Sequence, residues 1–304
     1  MPYYQDNHSL KVYRFLNNLS CNYIVSRLFY ILSDLKLTGF TIIKNQLCNI
    51  LLKSRRFKYI YYISLLYMRL ELNIYNINNS ILEYNYNEAL RKVILLYLDK
   101  TDNDLARLFH DDPHYIFSFS SVLGRSHSNK YGIFIKRGVL FVSSPNKDFI
   151  FTLLKSILKF PIFEIGLSNS TKFAVSNMRI LDNLSYGSPV KFMTLSPIIL
   201  KRDNKYIAID KDSNDDDVNL WIDTLKYSVK SRYKFFTGNT IDNIGIEINR
   251  NDFKTKYIKI KDQRYLCSEG RLEIRANREV LEFINDVGLG MKQKFGFGYI
   301  EVIK

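Results

Sequence analysis

Four glycines and two lysines lie close together near the C-terminus, in the stretch GLGMKQKFGFG at residues 288–298. They are Gly288, Gly290, Lys292, Lys294, Gly296 and Gly298. Repeated glycines let backbone N–H groups approach a phosphate closely, and the lysines supply positive charge. A glycine that ends a helix explains Gly288 alone. The stretch therefore indicates phosphate binding, and the alternative is a glycine-rich edge around the last strand.

The order of elements around this loop separates it from the common nucleotide-binding loops. Residues 288–298 fit neither the Walker pattern nor the glycine pattern that opens a helix after a strand. The loop runs instead from a predicted helix to a predicted strand, which is the opposite order. These patterns therefore predict no nucleotide cofactor.

The histidines and cysteines do not have the spacing of a metal site. They are His8, His110, His114, His127, Cys21, Cys48 and Cys267. This set matches no zinc pattern, and three widely separated cysteines argue against a disulfide framework. We therefore predict no metal and no cofactor, and a reducing compartment, the cytoplasm.

The charge of the chain favours a polyanionic partner. The 304 residues carry a net charge of +14, and the pI is about 9.4. Such an excess is typical of proteins that bind nucleic acid or an anionic membrane surface, although a generally basic proteome gives the same composition. The most apolar stretch is interrupted by Arg69 and Glu71 and is shorter than a membrane span, and no secretory signal is visible.

The first 67 residues differ from the rest of the chain. They contain nine lysines and arginines, two aspartates and no glutamate, a net charge of +7. One interpretation is an accessory basic extension, for which contact with a membrane surface is the weakest of the roles considered. The other, which we favour, is that Met68 is the true start and that residues 1–67 are a gene-model extension.

From Met68 onward, the pattern predicts two similar halves. The first half begins with a strand at 68–76, where Leu70, Leu72 and Ile74 alternate with Arg69, Glu71 and Asn73, which predicts one buried and one exposed face. It continues with helices at 84–99 and up to His110, a strand at 115–122, a hairpin turning at Arg137-Gly138, a helix at 146–159 and an extended stretch at 162–181. The second half contains strands from 190 and 205, an acidic linker at 210–217, a helix at 218–235, three strands, a helix at 278–287 that ends at Gly288, and a closing strand.

This order of strands and helices predicts an α+β fold with two tandem ferredoxin-like (RRM-like) domains. We place the domains at 68–189 and 190–304, with the glycine-rich loop in the second, preceded by the N-terminal extension 1–67.

Four segments carry a resemblance to known proteins: EYNYNEALRKVILLYL at 83–98, LARLFHDDPHYIFSFSS at 105–121, FMTLSPIIL at 192–200 and the glycine-rich loop at 288–298. In this order they resemble one known family, the CRISPR repeat-RNA processing endoribonucleases of the RAMP superfamily (Cas-six type). The loop resembles the superfamily signature, and the segments at 105–121 and 192–200 resemble the nuclease branch. The resemblance covers residues 68–304.

The resemblance implies a metal-independent endoribonuclease that cleaves CRISPR precursor transcripts within repeats to give guide RNAs. The ribose 2′-hydroxyl attacks the adjacent phosphorus, leaving 2′,3′-cyclic phosphate and 5′-hydroxyl ends. This chemistry needs a base, an acid and positive charge at the phosphorane. The implied partners are CRISPR repeat RNA and other CRISPR-associated interference proteins. We expect a monomer or homodimer and no membrane contact.

The resemblance also selects site residues. His110 matches the family histidine and ends a predicted helix, where the dipole favours the imidazolium; its alternative role is a helix cap. His114 and Tyr115 complete the expected catalytic set, and the glycines and lysines of 288–298 are expected to bind RNA. The chain departs from the family at two points: Leu95 replaces a tyrosine of some members, and no lysine follows His110 closely.

These departures keep a second function class open. The alternative is a non-catalytic RAMP-type subunit that binds RNA within a CRISPR interference complex. Cleavage of a repeat RNA separates the two hypotheses, because both predict binding.

Overall fold

Two antiparallel sheets, each packed against helices, dominate the part of the chain that the computed structural model describes, residues 68–166, 170–181 and 187–303. The predicted basic extension 1–67 lies outside the described residues. The α+β class with tandem ferredoxin-like units is confirmed. The boundary at residue 190 stays a prediction.

Local side-chain caps determine where most of the helices begin. The helices are α1 (Asn87–Asp99), α2 (Asn103–Asp111), α3 (Lys147–Lys159), α4 (Asp215–Thr237) and α5 (Arg278–Val287). An aspartate or asparagine oxygen accepts a backbone N–H at the start of four of them; these cap residues are Asp102, Asn146, Asn214 and Asn277. The cap of α4 places the predicted acidic linker partly inside the first helical turn.

The first sheet has the ferredoxin-like strand order. Its strands are β1 (Met68–Asn76), β3 (Ser118–Phe119), β6 (Arg137–Ser144), β7 (Ile162–Ile165) and β8 (Thr171–Leu181). Their order in the sheet is β3-β6-β1-β8-β7. With α1 and α3 as the two crossovers, the first four of these positions form a β-α-β-β-α-β unit, to which β7 adds an edge.

The second sheet repeats this arrangement. Its strands are β9 (Val190–Thr194), β12 (Gly245–Ile248), β15 (Arg271–Arg275) and β16 (Ile300–Val302). Their order is β12-β15-β9-β16, with α4 and α5 as the crossovers. The glycine-rich loop connects α5 to β16, the strand that closes this unit.

Smaller sheets are attached to the two units. They consist of β2 (Leu82–Glu83) with β4 (Ser126–Asn129) and β5 (Gly132–Ile135), of β10 (Leu200–Arg202) with β11 (Lys205–Ile207), and of β13 (Lys254–Ile260) with β14 (Gln263–Glu269). The prediction did not include β14, whose sequence has no clear alternation of apolar and polar residues.

Two apolar cores hold the sheets to their helices. The first core includes Leu70, Phe149 and Phe173, each fully buried. The second includes Trp221 and Ile284 and is likewise closed to solvent. The alternation predicted for β1 is confirmed by burial of its leucines and Ile74, but the predicted exposure of Arg69 is wrong, since it is also buried.

The predicted hairpin at Arg137-Gly138 is wrong. β5 ends at Ile135 and pairs with β4 and β2, whereas β6 begins at Arg137 and pairs with β1 and β3. Gly138 lies inside β6, where a Cβ would approach the carbonyl oxygen of Leu123 to 2.9 Å. The glycine therefore permits a close approach between chain segments rather than a turn. The strand predicted at 115–122 is also shorter, Ser118–Phe119.

None of the described helices combines the length and the apolar character that crossing a membrane requires.

Candidate active site

His110 is exposed at the end of α2. Leu105, Ala106 and Phe109 bury the opposite face of this helix in the first core, which leaves the imidazole in solvent. Nδ1 of His110 lies 2.5 Å from Oδ1 of Asp111. The carboxylate engages this side of the ring, so Nε2 is the nitrogen available to a substrate.

Lys294 of the glycine-rich loop reaches the same helix end. Its Nζ donates to the carbonyl oxygen of Phe109 at 2.8 Å and to that of Asp112 at 2.9 Å. An ammonium there satisfies carbonyls that the helix leaves unpaired and complements its dipole. Burial, with help from the charge of Arg91, lowers the pKa of Lys294 to about 8. The carbonyls that bind Lys294 lie on either side of His110 in the chain.

Arg91 of α1 supplies a second cation beside the loop, and the sequence interpretation missed it. Its guanidinium lies 4.8 Å from the centre of the Phe295 ring, and burial lowers its pKa. Within the described residues, Nε of Arg91 is buried without a hydrogen-bond partner. The sequence signal that could have identified Arg91 is its spacing, one helical turn after Asn87. The Asn87 side chain contacts the loop, where it donates to the carbonyls of Phe295 and Gly296.

The neighbourhood of His110 thus combines an imidazole, an ammonium with a lowered pKa and a guanidinium. An imidazole beside an ammonium whose pKa is lowered suits general acid–base catalysis. Cations held by protein carbonyls and aromatic rings suit stabilisation of a developing negative charge. In the described ranges, no three His, Cys, Asp or Glu side chains are grouped to hold a metal ion.

The loop glycines are explained by backbone conformation and packing. All four are buried with φ between +69° and +81°, a region that favours glycine. A Cβ at Gly298 would overlap the Leu289 carbonyl, and one at Gly296 would overlap the Phe119 ring. The loop therefore packs tightly against the protein.

The N–H groups of three loop glycines are already paired. Gly288 donates to Ile284, Gly296 to Gln293 and Gly298 to Pro197, each to a carbonyl at 2.8 Å. A phosphate contact through these groups would require the bonds to open. Packing, not phosphate, accounts for these glycines in the described structure, and RNA contact by Gly288, Gly290, Gly296 and Gly298 stays a prediction.

Lys292 lies on the outer side of the loop. Its φ of 61° is left-handed, and its Nζ sits 5.0 Å from the centre of the Tyr265 ring and 5.6 Å from that of Phe295. A partly exposed ammonium held over aromatic rings suits a phosphate contact, which stays a prediction.

His114 and Tyr115 follow α2 but make different contacts from His110. The His114 ring stacks on Phe235 of α4, with centroids 4.2 Å apart. The partly buried Tyr115 ring packs edge-on against Phe109 at 5.3 Å. The structure thus brings Lys294 to the His110 turn, directs His114 towards α4 and gives the Tyr115 ring a place beside the first core. Their catalytic roles stay predictions.

Known proteins resemble this chain over much of its length. The family described as CRISPR associated protein Cas6, C-terminal, matches residues 182–302. The CRISPR-associated endoribonuclease Cas6 2 of Methanocaldococcus jannaschii is 32% identical over 182 residues, 54% of this chain and 73% of that protein. The CRISPR-associated endoribonuclease-like protein Cas6nc of Pyrococcus horikoshii is 26% identical over 257 residues, 78% of this chain and all of that one.

A solved structure shows the same relationship. It is described as an RAMP protein binding different RNA substrates, with 26% identity and a TM-score of 0.65 over 78% of this chain and 100% of that one. The resemblance seen in the four sequence segments is therefore confirmed, and the chain belongs to the Cas6 family of CRISPR-associated endoribonucleases.

Proposed function

We propose that this chain cleaves CRISPR precursor transcripts within their repeats, without a metal ion, and so releases guide RNAs. The observation that carries the proposal is the pair of hydrogen bonds from Lys294 to the carbonyls of Phe109 and Asp112. Through them, the loop in the family-matched region meets the helix end that carries His110. The binding partner is the repeat RNA.

The proposed reaction is an internal transesterification. The ribose 2′-oxygen loses its proton to a base and attacks the adjacent phosphorus, while the bond to the 5′-oxygen breaks and that oxygen takes a proton from an acid. The products are a 2′,3′-cyclic phosphate and a 5′-hydroxyl end. His110 and Lys294 supply the base and the acid, and Arg91 adds charge at the phosphorane.

Lys294 compensates for the lysine that the segment after His110 lacks. That segment, residues 111–119, contains no lysine, yet an ammonium reaches the end of α2 from a loop some 180 positions later. A catalytic cation need not come from the neighbouring sequence, because only its position in space matters to the reaction.

The first experiment tests metal-independent cleavage. The full chain is incubated in EDTA with a labelled repeat RNA and with copies that carry 2′-deoxyribose at single positions. We expect one cleavage site, abolished by one 2′-deoxy substitution, and a cyclic phosphate product. Loss of cleavage in EDTA that Mg²⁺ restores would contradict the mechanism.

The second experiment tests His110. We expect His110→Ala to slow single-turnover cleavage by about 10²–10⁴-fold, the usual contribution of general acid–base catalysis, while RNA affinity changes little. His127→Ala, which removes an exposed histidine of β4, serves as the matched control. A full rate in His110→Ala would remove this residue from the site.

The packing of His114 and Tyr115 favours a second candidate function, a non-catalytic RNA-binding subunit that works with other CRISPR interference proteins. Both rings rest against phenylalanines, so fewer groups are free for chemistry. Tight binding of the intact repeat without cleavage at any pH from 6 to 9 would support this candidate and contradict the first.

A further inference from the structure

A cavity of about 530 Å³ opens beside the candidate active site. It lies between the segment that follows α2, the strand β10, the helix α4 and the glycine-rich loop. Its lining includes Pro113, Lys201, Tyr227, Arg232, Phe235 and Met291. The volume is within the range of small-molecule sites and is sufficient for one nucleotide.

One face of α4 forms the floor of this cavity. The lining residues of α4 recur at helical spacing, at positions 224, 227–228, 231–232 and 235–236. The opposite face of this part of α4 packs into the second core through Trp221, Leu225 and Val229. Residues three or four apart share a helix face, so the cavity is lined by a continuous surface.

Aromatic rings on this face are open to a ligand. Tyr227 is 70% exposed and Phe235 is 48% exposed. His114 already stacks on Phe235 with an interplanar angle of 11°. His114 covers one face of this ring, and the part of Phe235 that remains exposed is suited to contact a nucleobase.

The charge of the lining is positive. Among the described residues, those that line the cavity include Lys201 and Arg232 but no aspartate or glutamate. The guanidinium of Arg232 donates to the carbonyls of Gly288 and Gly290, which are neutral groups. Burial lowers its pKa to about 10, so Arg232 remains charged at neutral pH. Its charge faces no lining carboxylate and complements a phosphate.

We infer that this cavity binds one unpaired nucleotide of the RNA substrate, its base against Tyr227 and Phe235 and its phosphate near Arg232 and Lys201. Aromatic surface combined with unneutralised cations is the usual composition of a single-strand site. The identity of the RNA as a CRISPR repeat rests on the proposed function. Pro113 follows His110 by three residues, so the bound nucleotide lies near the bond to be cut.

The test measures binding rather than cleavage. The RNA carries 2′-deoxyribose at the cleavage position, and each member of the series lacks one base. With the wild-type chain, we expect one abasic position to weaken binding by about 5- to 150-fold, the contribution of one stacked base. Tyr227→Ala should weaken binding of the intact RNA similarly and remove the extra loss at that one position.

The matched control is Tyr131→Ala, since Tyr131 is 67% exposed and outside the cavity lining. This variant should retain the full abasic penalty. Removal of either exposed ring sacrifices little packing, so a folding defect is not expected. Lys201→Ala should reduce the slope of log affinity against log salt by about 0.7, the value for one phosphate contact on a single strand.

The outcomes separate this inference from the proposed function. In one outcome the wild type cleaves the repeat, but the losses of binding caused by Tyr227→Ala and by each abasic position simply add. This outcome would contradict the nucleotide-binding cavity and leave the proposed function intact. Absence of repeat binding by the wild type would overturn both. If the two binding losses fail to add at one position only and the wild type does not cleave, the cavity is supported and the function is that of an RNA-binding subunit.

Discussion

Lys294 has two roles at the residue scale that its neighbours in the sequence do not reveal. Its ammonium caps the C-terminal end of α2 by donating hydrogen bonds to two carbonyls. The same ammonium places a positive charge at the turn that carries His110. Removal from water disfavours the ammonium, and the nearby Arg91 charge adds to this effect, whereas Asp111 and Asp112 oppose it. The result is a lysine that titrates close to neutral pH.

The pH dependence of cleavage tests this role. Since the pKa of Lys294 is lowered to about 8, the ammonium is lost as the pH rises through 8. We expect the single-turnover rate to fall up to tenfold per pH unit above that value. Lys294→Arg keeps the positive charge but cannot give up a proton in this pH range, because guanidinium stays protonated. This variant should therefore cleave more slowly than the wild type and show no fall in rate above pH 8.

Lys292→Arg provides the control for the same measurement. It makes an identical exchange two residues away, outside the contacts with α2, and should keep the wild-type profile. If the rate falls above about pH 8 in the wild type and in both arginine variants, the group that titrates there is not Lys294.

At the scale of elements, the glycine-rich loop is a packed connection. The N–H of Leu289 donates to the Gly298 carbonyl at 2.8 Å, and the N–H of Met291 donates to the Ile199 carbonyl at 2.9 Å. These bonds bind the loop to itself and to the segment before β10. The left-handed glycines allow the close approach that the bonds require.

Alanine substitutions at glycines measure separately the cost of a left-handed backbone and the cost of a steric overlap. Gly298→Ala should lower the free energy of unfolding by more than about 3 kcal/mol, because its Cβ would overlap the Leu289 carbonyl. Gly238 has a similar φ of +75° but open space around its Cβ, so Gly238→Ala should cost only about 1–2 kcal/mol.

Denaturant unfolding of the purified variants measures both effects. Gly187→Ala, with nothing within 4 Å and no left-handed φ, should leave the stability nearly unchanged. Equal losses for Gly298→Ala and Gly238→Ala would mean that the loop relaxes around the new methyl group.

At the scale of the whole molecule, a buried polar layer joins the two ferredoxin-like units. The Arg69 guanidinium of β1 donates to Tyr299, Asn285, Ile300 and Glu301, each at 2.8 Å. The Ser143 hydroxyl of β6 donates to the Asp286 carbonyl at 2.7 Å. These contacts cross from the first sheet to α5 and β16.

Asp286 makes the stability of this junction depend on pH. Within the described structure, both of its carboxyl oxygens are buried without a hydrogen-bond partner, and burial raises its pKa well above the usual range. The folded protein therefore keeps a proton that the unfolded chain releases above about pH 4. Stability from this group is present at low pH and is lost as the pH rises towards the raised pKa.

We expect Asp286→Asn to be more stable than the wild type at pH 8, with a smaller difference at pH 5. The difference should grow by at most about 1.4 kcal/mol per pH unit, the free energy of one proton equilibrium. Denaturant titrations at the two pH values measure it. Asp242→Asn, at an exposed carboxylate, should show no such trend, and an equal gain at both pH values would contradict the account.

Local patterns in the sequence determined the fold class and most of the longer elements. The alternation of Leu70, Leu72 and Ile74 predicted β1, the helix at 278–287 was predicted to the residue, and the order of elements predicted two ferredoxin-like units. Periodicity and capping act over a few residues, so one sequence carries them. The family resemblance likewise came from short contiguous segments.

Tertiary structure alone decided which distant residues meet. Arg91 and Lys294 come together with the end of α2 because α1 and the glycine-rich loop pack against it, and Arg232 lines the cavity because one face of α4 is left outside the core. The same applies to Gly138, which serves strand packing rather than a turn. Contacts between positions far apart in the chain depend on how whole elements pack, and no local pattern encodes that packing.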